Sequence, residues 1–298
     1  MIYIASAVFF YFLNYFFIKF WKKKNNFTPT GIGIFLIFHL IYYFLIIEYS
    51  LIYLIPLIIF SFIYFLDDLI SINFKWRLII QIFTPIIIYI ASIYHLNVIF
   101  LISIIIFFFV LMNSLNFQDG EDLNIAILLG MIFFTFYFFS ENLFMKKTSI
   151  FILVYLFVFS IFNSRKNNLF FGDSGCFLIS VIILMFVIND YNNKIMIKLF
   201  LSVIIFPIID VFFVVLYRIY KNENLLSRNY HHVYQIIKKK TKWKLYLLPN
   251  IVFALTNILI SAKISLNINL VLILIGLNFL FCIITHVIIN NLKNYNEN

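Results

Sequence analysis

Residues 113–123 read NSLNFQDGEDL, a polar island with apolar runs at 98–112 before it and 123–139 after it. It holds two Asn, a Gln, two Asp and a Glu, with no Lys or Arg. Acids this close repel one another unless a cation sits among them. Carboxylate and carboxamide oxygens are the ligands of a hard divalent ion. Asp119 and Asp122 are three apart. Asn113, Asn116 and Gly120 follow at spacings of three and four, on one face if the preceding helix runs on. A polar turn with Asx caps accounts for one such residue more readily than for the whole set.

Two distant stretches look built to join this one. Asp67 and Asp68 are expected to end a span, where adjacent carboxylates accept a proton or bind a cation. An acid pair also closes many helices as a solvated stop. Arg77, nine residues on, can meet a phosphate, although an interfacial anchor is the simpler reading of a basic residue there, and of Lys75 in particular. In FFGDSGCF, Asp173 stands between two glycines where an apolar run begins. Glycine allows close backbone approach, and a helix start is expected to offer free N–H groups to a phosphate, while Asp and Ser are also ordinary helix caps. A basic loop further on contains SRNYHHVYQ, with His231 and His232 able to serve phosphate groups. Asp210, three residues after Pro207 inside an apolar run, is costly in lipid and must face protein or a cavity. The Lys run at 238–244 is explained by topology and anionic lipid alone, and Gly31 with Gly33 by close helix packing rather than a phosphate loop.

The elements that must position these groups follow from composition. Charged residues are 11%, mean hydropathy is +1.04, and 41 of 298 residues are Phe. No water-soluble core absorbs that much apolar surface, so the chain is expected to be all-α, a polytopic membrane bundle of about eleven helices and one integral domain over 1–298. The expected spans are 2–20, 31–48, 51–66, 78–94, 98–112, 123–139, 148–163, 175–189, 195–217, 245–262 and 268–290. The first apolar run has no small-residue cleavage site after it and is read as a retained helix. Cys176 and Cys282 fall on different spans and imply neither a disulfide frame nor a thiolate metal site.

Orientation comes from Lys and Arg. Alternate connections carry seventeen of them, among them Lys19, Lys22 to Lys24, Lys75, Arg77, Arg165, Lys166, Arg218, Arg228, Lys242 and Lys293; the opposite connections carry five. The richer face is cytoplasmic, which puts the amino terminus outside and the carboxyl terminus inside. Asp67, Asp68, Asp119, Glu121, Asp122, Asp173 and Glu223 all fall on that face. Positive-inside bias gives no reason for acids to gather at separate helix ends on one side, and a composite site does.

With these residues the chain resembles the polyprenyl-phosphate N-acetylhexosamine-1-phosphate transferase superfamily, nearest its O-antigen-type branch. The resemblance covers roughly 29–235 and rests on PTGIG at 29–33, Asp67-Asp68 with Arg77, NSLNFQDGED at 113–122, FFGDSG at 170–175, Pro207 with Asp210, Arg218, and the His loop. It implies that Asp173 and Asn116 hold Mg²⁺, with Mn²⁺ an alternative. It implies that Asp67 and Asp68 serve the acceptor phosphate, and that Asp119 and Asp122 lie by the nucleotide, Asp122 toward the uracil. Asn113, Arg77, His231 and His232 would bind substrate. The implied reaction moves a sugar-1-phosphate from a UDP-N-acetylhexosamine to undecaprenyl phosphate at the cytoplasmic face of a bacterial inner membrane and releases UMP. No nucleic-acid partner is expected, and a homodimer is compatible with the reading.

The sequence departs from the superfamily's pattern in four places. The polar segment before PTGIG is only KKKNNF, Leu123 stands where Gly is usual, Cys176 stands where Ser is usual, and the His loop ends HHVYQ. Two other readings compete. A UbiA-type prenyltransferase wants two Asp-rich motifs, each repeating acids at three- or four-residue spacing. An ion-coupled transporter wants midplane acids and an internal repeat.

Overall fold

The computed structural model describes residues 2–24, 28–48, 51–70, 72–92, 97–164, 169–224, 231–241 and 244–290, the side chains of 22–24 and 289–290 excepted. Arg165, Lys166, Arg228, Lys242, Lys293, His95 and the side chains of Lys22, Lys23 and Lys24 lie outside the described residues. Among the described residues every regular element is helical. The chain divides into two compact units, Met1–Met196 and Ile197–Asn298.

The first unit holds α1 (Ile2–Lys24), a 3-10 turn (Ile32–Leu36) leading into α2 (Ile37–Ile47), α3 (Leu51–Ile70), α4 (Phe74–Ser92), α5 (Val98–Gln118), α6 (Asn124–Phe139), α7 (Leu143–Asn163) and α8 (Gly172–Asn189). Helix α8 is apolar on all sides and buried along most of its length, as expected for a helix surrounded by others. Helices α3, α4 and α5 and the 3-10 turn pack on it. Tyr64 of α3 stacks on Phe177 of α8 at 4.8 Å, and Phe108 of α5 meets the same ring edge-on at 6.2 Å. The outer faces carry Phe9, Phe12 and Phe16 on α1 and Ile99, Ile102 and Ile106 on α5, all exposed. That much apolar surface would aggregate in water and suits hydrocarbon.

Two starts are fixed by side-chain caps. The Asn97 side chain accepts the Phe100 N–H at 3.2 Å to open α5. The Asn142 side chain accepts the Phe144 and Met145 N–H groups at 2.8 and 3.3 Å to open α7.

The second unit holds most of α9 (Lys194–Tyr220), which starts in the last residues of the first unit, then α10 (Val233–Lys240), α11 (Leu248–Lys263) after a 3-10 turn (Lys244–Leu247), and α12 (Ile268–Asn290). Its helices are tied by buried polar pairs. Asn257 and Asn278 exchange amide bonds at 3.1 and 3.4 Å, Asn257 donates to the Ser202 carbonyl at 3.1 Å, and the Ser202 and Ser261 hydroxyls meet at 2.7 Å.

Among the described residues, nine helical stretches are long and apolar enough to cross a bilayer, and two more, Ile32–Ile47 and Asn124–Phe139, are apolar but shorter. Two boundaries differ from the sequence reading in a way that matters for the site. Helix α5 continues to Gln118 rather than stopping at 112, and α3 continues to Ile70, so Asp67 and Asp68 lie in its last turns. Backbone hydrogen bonding carries a helix past the point where hydropathy falls, because a polar residue can stay helical once its side chain finds water or a partner.

Candidate active site

Residues from four elements of the first unit converge. Asn116, on the last turns of α5, donates from Nδ2 to Oδ1 of Asp173 on the first turn of α8 at 2.5 Å. The helical continuation of α5 puts Asn116 at that point. Arg77 of α4 lies with Nη1 3.2 Å from Asp67 Oδ2 and 3.4 Å from Asp173 Oδ2, with its side chain about one-third exposed at 34%. Exposed ion pairs add little to stability, so its interest is in the charge it brings. Asp67 Oδ1 also accepts the Ile72 N–H, and the Tyr64 hydroxyl donates to the Arg77 carbonyl at 3.2 Å, joining α3 to the start of α4.

Asp68 and Asp119 face the backbone. Asp68 Oδ1 accepts the Asp173 N–H at 2.8 Å, and Oδ2 accepts the Ser174 N–H at 3.1 Å and the Ser174 hydroxyl at 2.7 Å. Asp119, which ends α5, accepts the Phe171 N–H at 3.1 Å on Oδ1 and the Gly172 N–H at 2.7 Å on Oδ2. This corrects the sequence reading of the α8 start: its N–H groups are occupied by carboxylates and not free for a phosphate. A helix start attracts negative charge from whatever source lies nearest, and here two Asp side chains lie nearest. Burial pushes the Asp119 carboxyl up to about 8 against those two N–H bonds, and the Asp68 and Asp173 charges push the same way.

The glycines allow this approach. Gly172 has φ 84°, and a Cβ there would lie 2.3 Å from the Gly31 nitrogen. A Cβ on Gly33 would lie 2.2 Å from the Gly175 Cα. The two backbones are also bonded, Phe170 N–H to the Pro29 carbonyl at 2.8 Å and Gly33 N–H to the Phe171 carbonyl at 3.0 Å. Gly31 and Gly33 therefore serve close packing, as the sequence reading has them.

Asn113 donates to the Phe109 carbonyl at 2.7 Å and to Gln81 Oε1 of α4 at 3.4 Å. Asp122 is buried in the turn after α5, and Gly120 lies in that turn rather than on the helix face. The sequence reading missed Asn163. It is fully buried at the end of α7, accepts the Leu123 N–H at 2.5 Å and donates to the Leu169 carbonyl at 2.7 Å, so it ties the central turn to the segment before Asp173.

The remaining candidates belong to the second unit. His232 and Asp210 are both buried and meet through Nδ1 and Oδ2 at 2.9 Å. Asp210 Oδ1 accepts the Val233 N–H at 3.0 Å, and His232 with Gln235 forms the capping box that opens α10. His231 lies 3.1 Å from Glu223, which also faces Arg218 at 3.5 Å. Asp210 thus has the protein partner that its depth demands.

Among the described residues no group of three or more His, Cys, Asp or Glu is arranged to hold a metal ion. Asp68 and Asp119 turn their oxygens to backbone N–H groups. Asp173 keeps 22% of its side chain exposed beside Asn116. Mg²⁺ commonly takes one or two carboxylates and completes its shell with water and substrate phosphates, and that donor set fits it. As a ligand Asn116 would present its carboxamide oxygen, the other end of the group that now donates to Asp173.

The stretch that carries these residues, 50–191, matches the model of glycosyl transferase family 4. Across it the chain belongs to that family. No curated protein matches the chain. Family 4 is that of the polyprenyl-phosphate sugar-phosphate transferases, so the chain is a multi-pass membrane transferase of this general kind. The family 4 stretch contains Asp67, Asp68, Arg77, Asn113, Asn116, Asp119, Asp122 and Asp173. His231 and His232 lie beyond it.

Proposed function

We propose that the protein transfers a sugar-1-phosphate from a UDP-N-acetylhexosamine to undecaprenyl phosphate and releases UMP, as the first membrane step of a cell-surface polysaccharide. The observation that carries this is the 2.5 Å contact between Asn116 and Asp173. It joins two motifs 57 residues apart within a cluster of four Asp and one Arg. An acceptor phosphate oxygen attacks the phosphorus next to the sugar, the bond to UMP breaks, and UMP leaves. Asp67 either takes a proton from the acceptor phosphate or orients it. Arg77, shared between Asp67 and Asp173, is a ready phosphate partner. Asn113 and Asp122 serve the donor, Asp122 toward the uracil, and His231 and His232 serve its phosphates. Asp173 and Asn116 would hold Mg²⁺, or Mn²⁺ in its place, which supplies screening between two polyanions and stabilises charge on the leaving UMP. We read 1–298 as one integral transferase of a bacterial inner membrane, its site on the cytoplasmic face.

The sugar follows from where the sequence departs from its superfamily. The HHVYQ loop and the short segment before PTGIG differ, while the acceptor and metal residues match. That pattern fits the same reaction with a different sugar, either GlcNAc or a 6-deoxy relative such as QuiNAc or FucNAc, the latter favoured. A site built to bond a hydroxyl rejects the analogue lacking it by orders of magnitude.

The test is UMP release by purified protein given undecaprenyl phosphate and each UDP-sugar in turn. Turnover is expected with Mg²⁺ and not with EDTA, and Asp173→Ala and Asn116→Ala should each lose on the order of a hundredfold. Full turnover in EDTA removes the metal role. Silence with every UDP-sugar removes the donor class.

A further inference from the structure

Four consecutive backbone N–H groups, from Phe171 to Ser174, are each taken by a carboxylate, two by Asp119 and two by Asp68. The two acids come from different helices, α5 and α3, and grip α8 from both. We propose that Asp68 and Asp119 are positioning residues, which act on the reaction through the backbone at 171–174 and so aim Asp173, without touching either substrate.

Their oxygens carry the argument. Asp68 places both on α8: one on the Asp173 N–H, the other on the N–H and hydroxyl of Ser174. Thr30 adds a long contact at 3.5 Å, and Gly31 packs so close that a Cβ there would lie 2.9 Å from Oδ2. A carboxylate enclosed and bonded in this way has little capacity left for a substrate proton or an ion. Asp119 likewise spans Phe171 and Gly172 with one oxygen each, and is only 9% exposed. Asp173 is the contrast: its backbone is held by Asp68 while its side chain points to Asn116 and Arg77.

Charged acceptors suit this task, because charge-assisted hydrogen bonds are about twice as strong as neutral ones and the first turn of a helix favours negative charge. Glycine at 172 and 175 leaves the segment no side-chain packing of its own at those positions. Fixed in this way, the Asp173 carboxylate needs no reorganisation when its ligand arrives.

The inference rests on the proposed metal role of Asp173, and the experiment separates the two. Mn²⁺ alone is titrated into the purified full chain and followed by electron paramagnetic resonance, alongside UMP release. Asp68→Asn and Asp119→Asn are expected to weaken Mn²⁺ binding by about tenfold to a hundredfold, as loss of a partner behind a metal ligand does, and excess Mg²⁺ should restore much of the lost turnover. Ser174→Ala, which removes one donor from Asp68 and leaves the carboxylate, should weaken binding by about threefold, the worth of one hydrogen bond. The proposal is overturned if Asp68→Asn binds Mn²⁺ like the wild type while turnover falls and excess Mg²⁺ does not help, since Asp68 then acts on substrate directly. If Asp68→Asn does not fold, unchanged Mn²⁺ affinity in Ser174→Ala overturns the role of Asp68. If Asp173→Ala binds Mn²⁺ as the wild type does, the metal reading itself has failed, and this inference falls with it.

Discussion

Leu123 has φ 65° and ψ −12° at the start of α6, the left-handed region. Its N–H reaches Asn163, and the turn after α5 must reverse there for α6 to begin. Where the superfamily usually has Gly, this chain accepts a strained Leu. The left-handed conformation costs an L-residue about 1–2 kcal/mol, and Gly loses about 0.5–1 kcal/mol of backbone freedom on folding. The two nearly balance, with the half-buried Leu side chain on one side of the scale. Leu123→Gly should therefore leave the melting temperature close to wild type, while Leu123→Val, β-branched in a left-handed position, should lower it clearly. Equal melting temperatures for both variants would mean that the conformation is not strained.

At this same scale the sequence was legible where residue type and spacing were both unusual. Asn116 and Asp173 stood out because carboxamides and acids are rare in an apolar chain, and they do meet. Asn163 did not stand out, since one Asn at the end of a span looks like any polar flank, and its partners, a backbone N–H and a carbonyl on separate segments, leave no mark in sequence. The orientation of Asp68 and Asp119 was illegible for a related reason: a carboxylate facing backbone and one facing substrate are spelled alike.

Between helices, the apolar runs located the elements well and their ends poorly. The runs at 98–112 and 51–66 mark α5 and α3, but both helices continue into polar sequence, and the site is built on those continuations. In the second unit the informative residues are again polar. Asn257 of α11 and Asn278 of α12 exchange amide bonds inside an apolar bundle where neither meets water. In lipid such pairs are worth about 0.6 kcal/mol on average and up to about 1.7 kcal/mol, while leaving one member unpaired costs its desolvation. Asn257→Leu and Asn278→Leu should each destabilise the protein, and the double substitution should cost less than the sum of the singles. Thermal unfolding in detergent across this double-mutant cycle measures the coupling; strict additivity would show that the amides do not depend on each other.

For the whole molecule, the question is which face of the membrane the site occupies. Asp67 near the end of α3, Asn116 and Asp119 at the end of α5, and Asp173 at the start of α8 meet at one place. Three helix ends that touch must share a side, but touching does not say which side. Charge does: seventeen Lys and Arg lie on the connections that share the site's face and five on the others. A UDP-sugar is a cytoplasmic metabolite in the proposed reaction, so the same face is required on chemical grounds. In a background lacking Cys176 and Cys282, a cysteine at position 72, between α3 and α4, should react with an impermeant maleimide only after the cytoplasmic side is opened. A cysteine at position 192, in the exposed turn before α9, should react in intact cells. The reverse pattern would leave the convergence of the three helix ends intact but put them outside, where neither the charge bias nor a nucleotide donor could explain them.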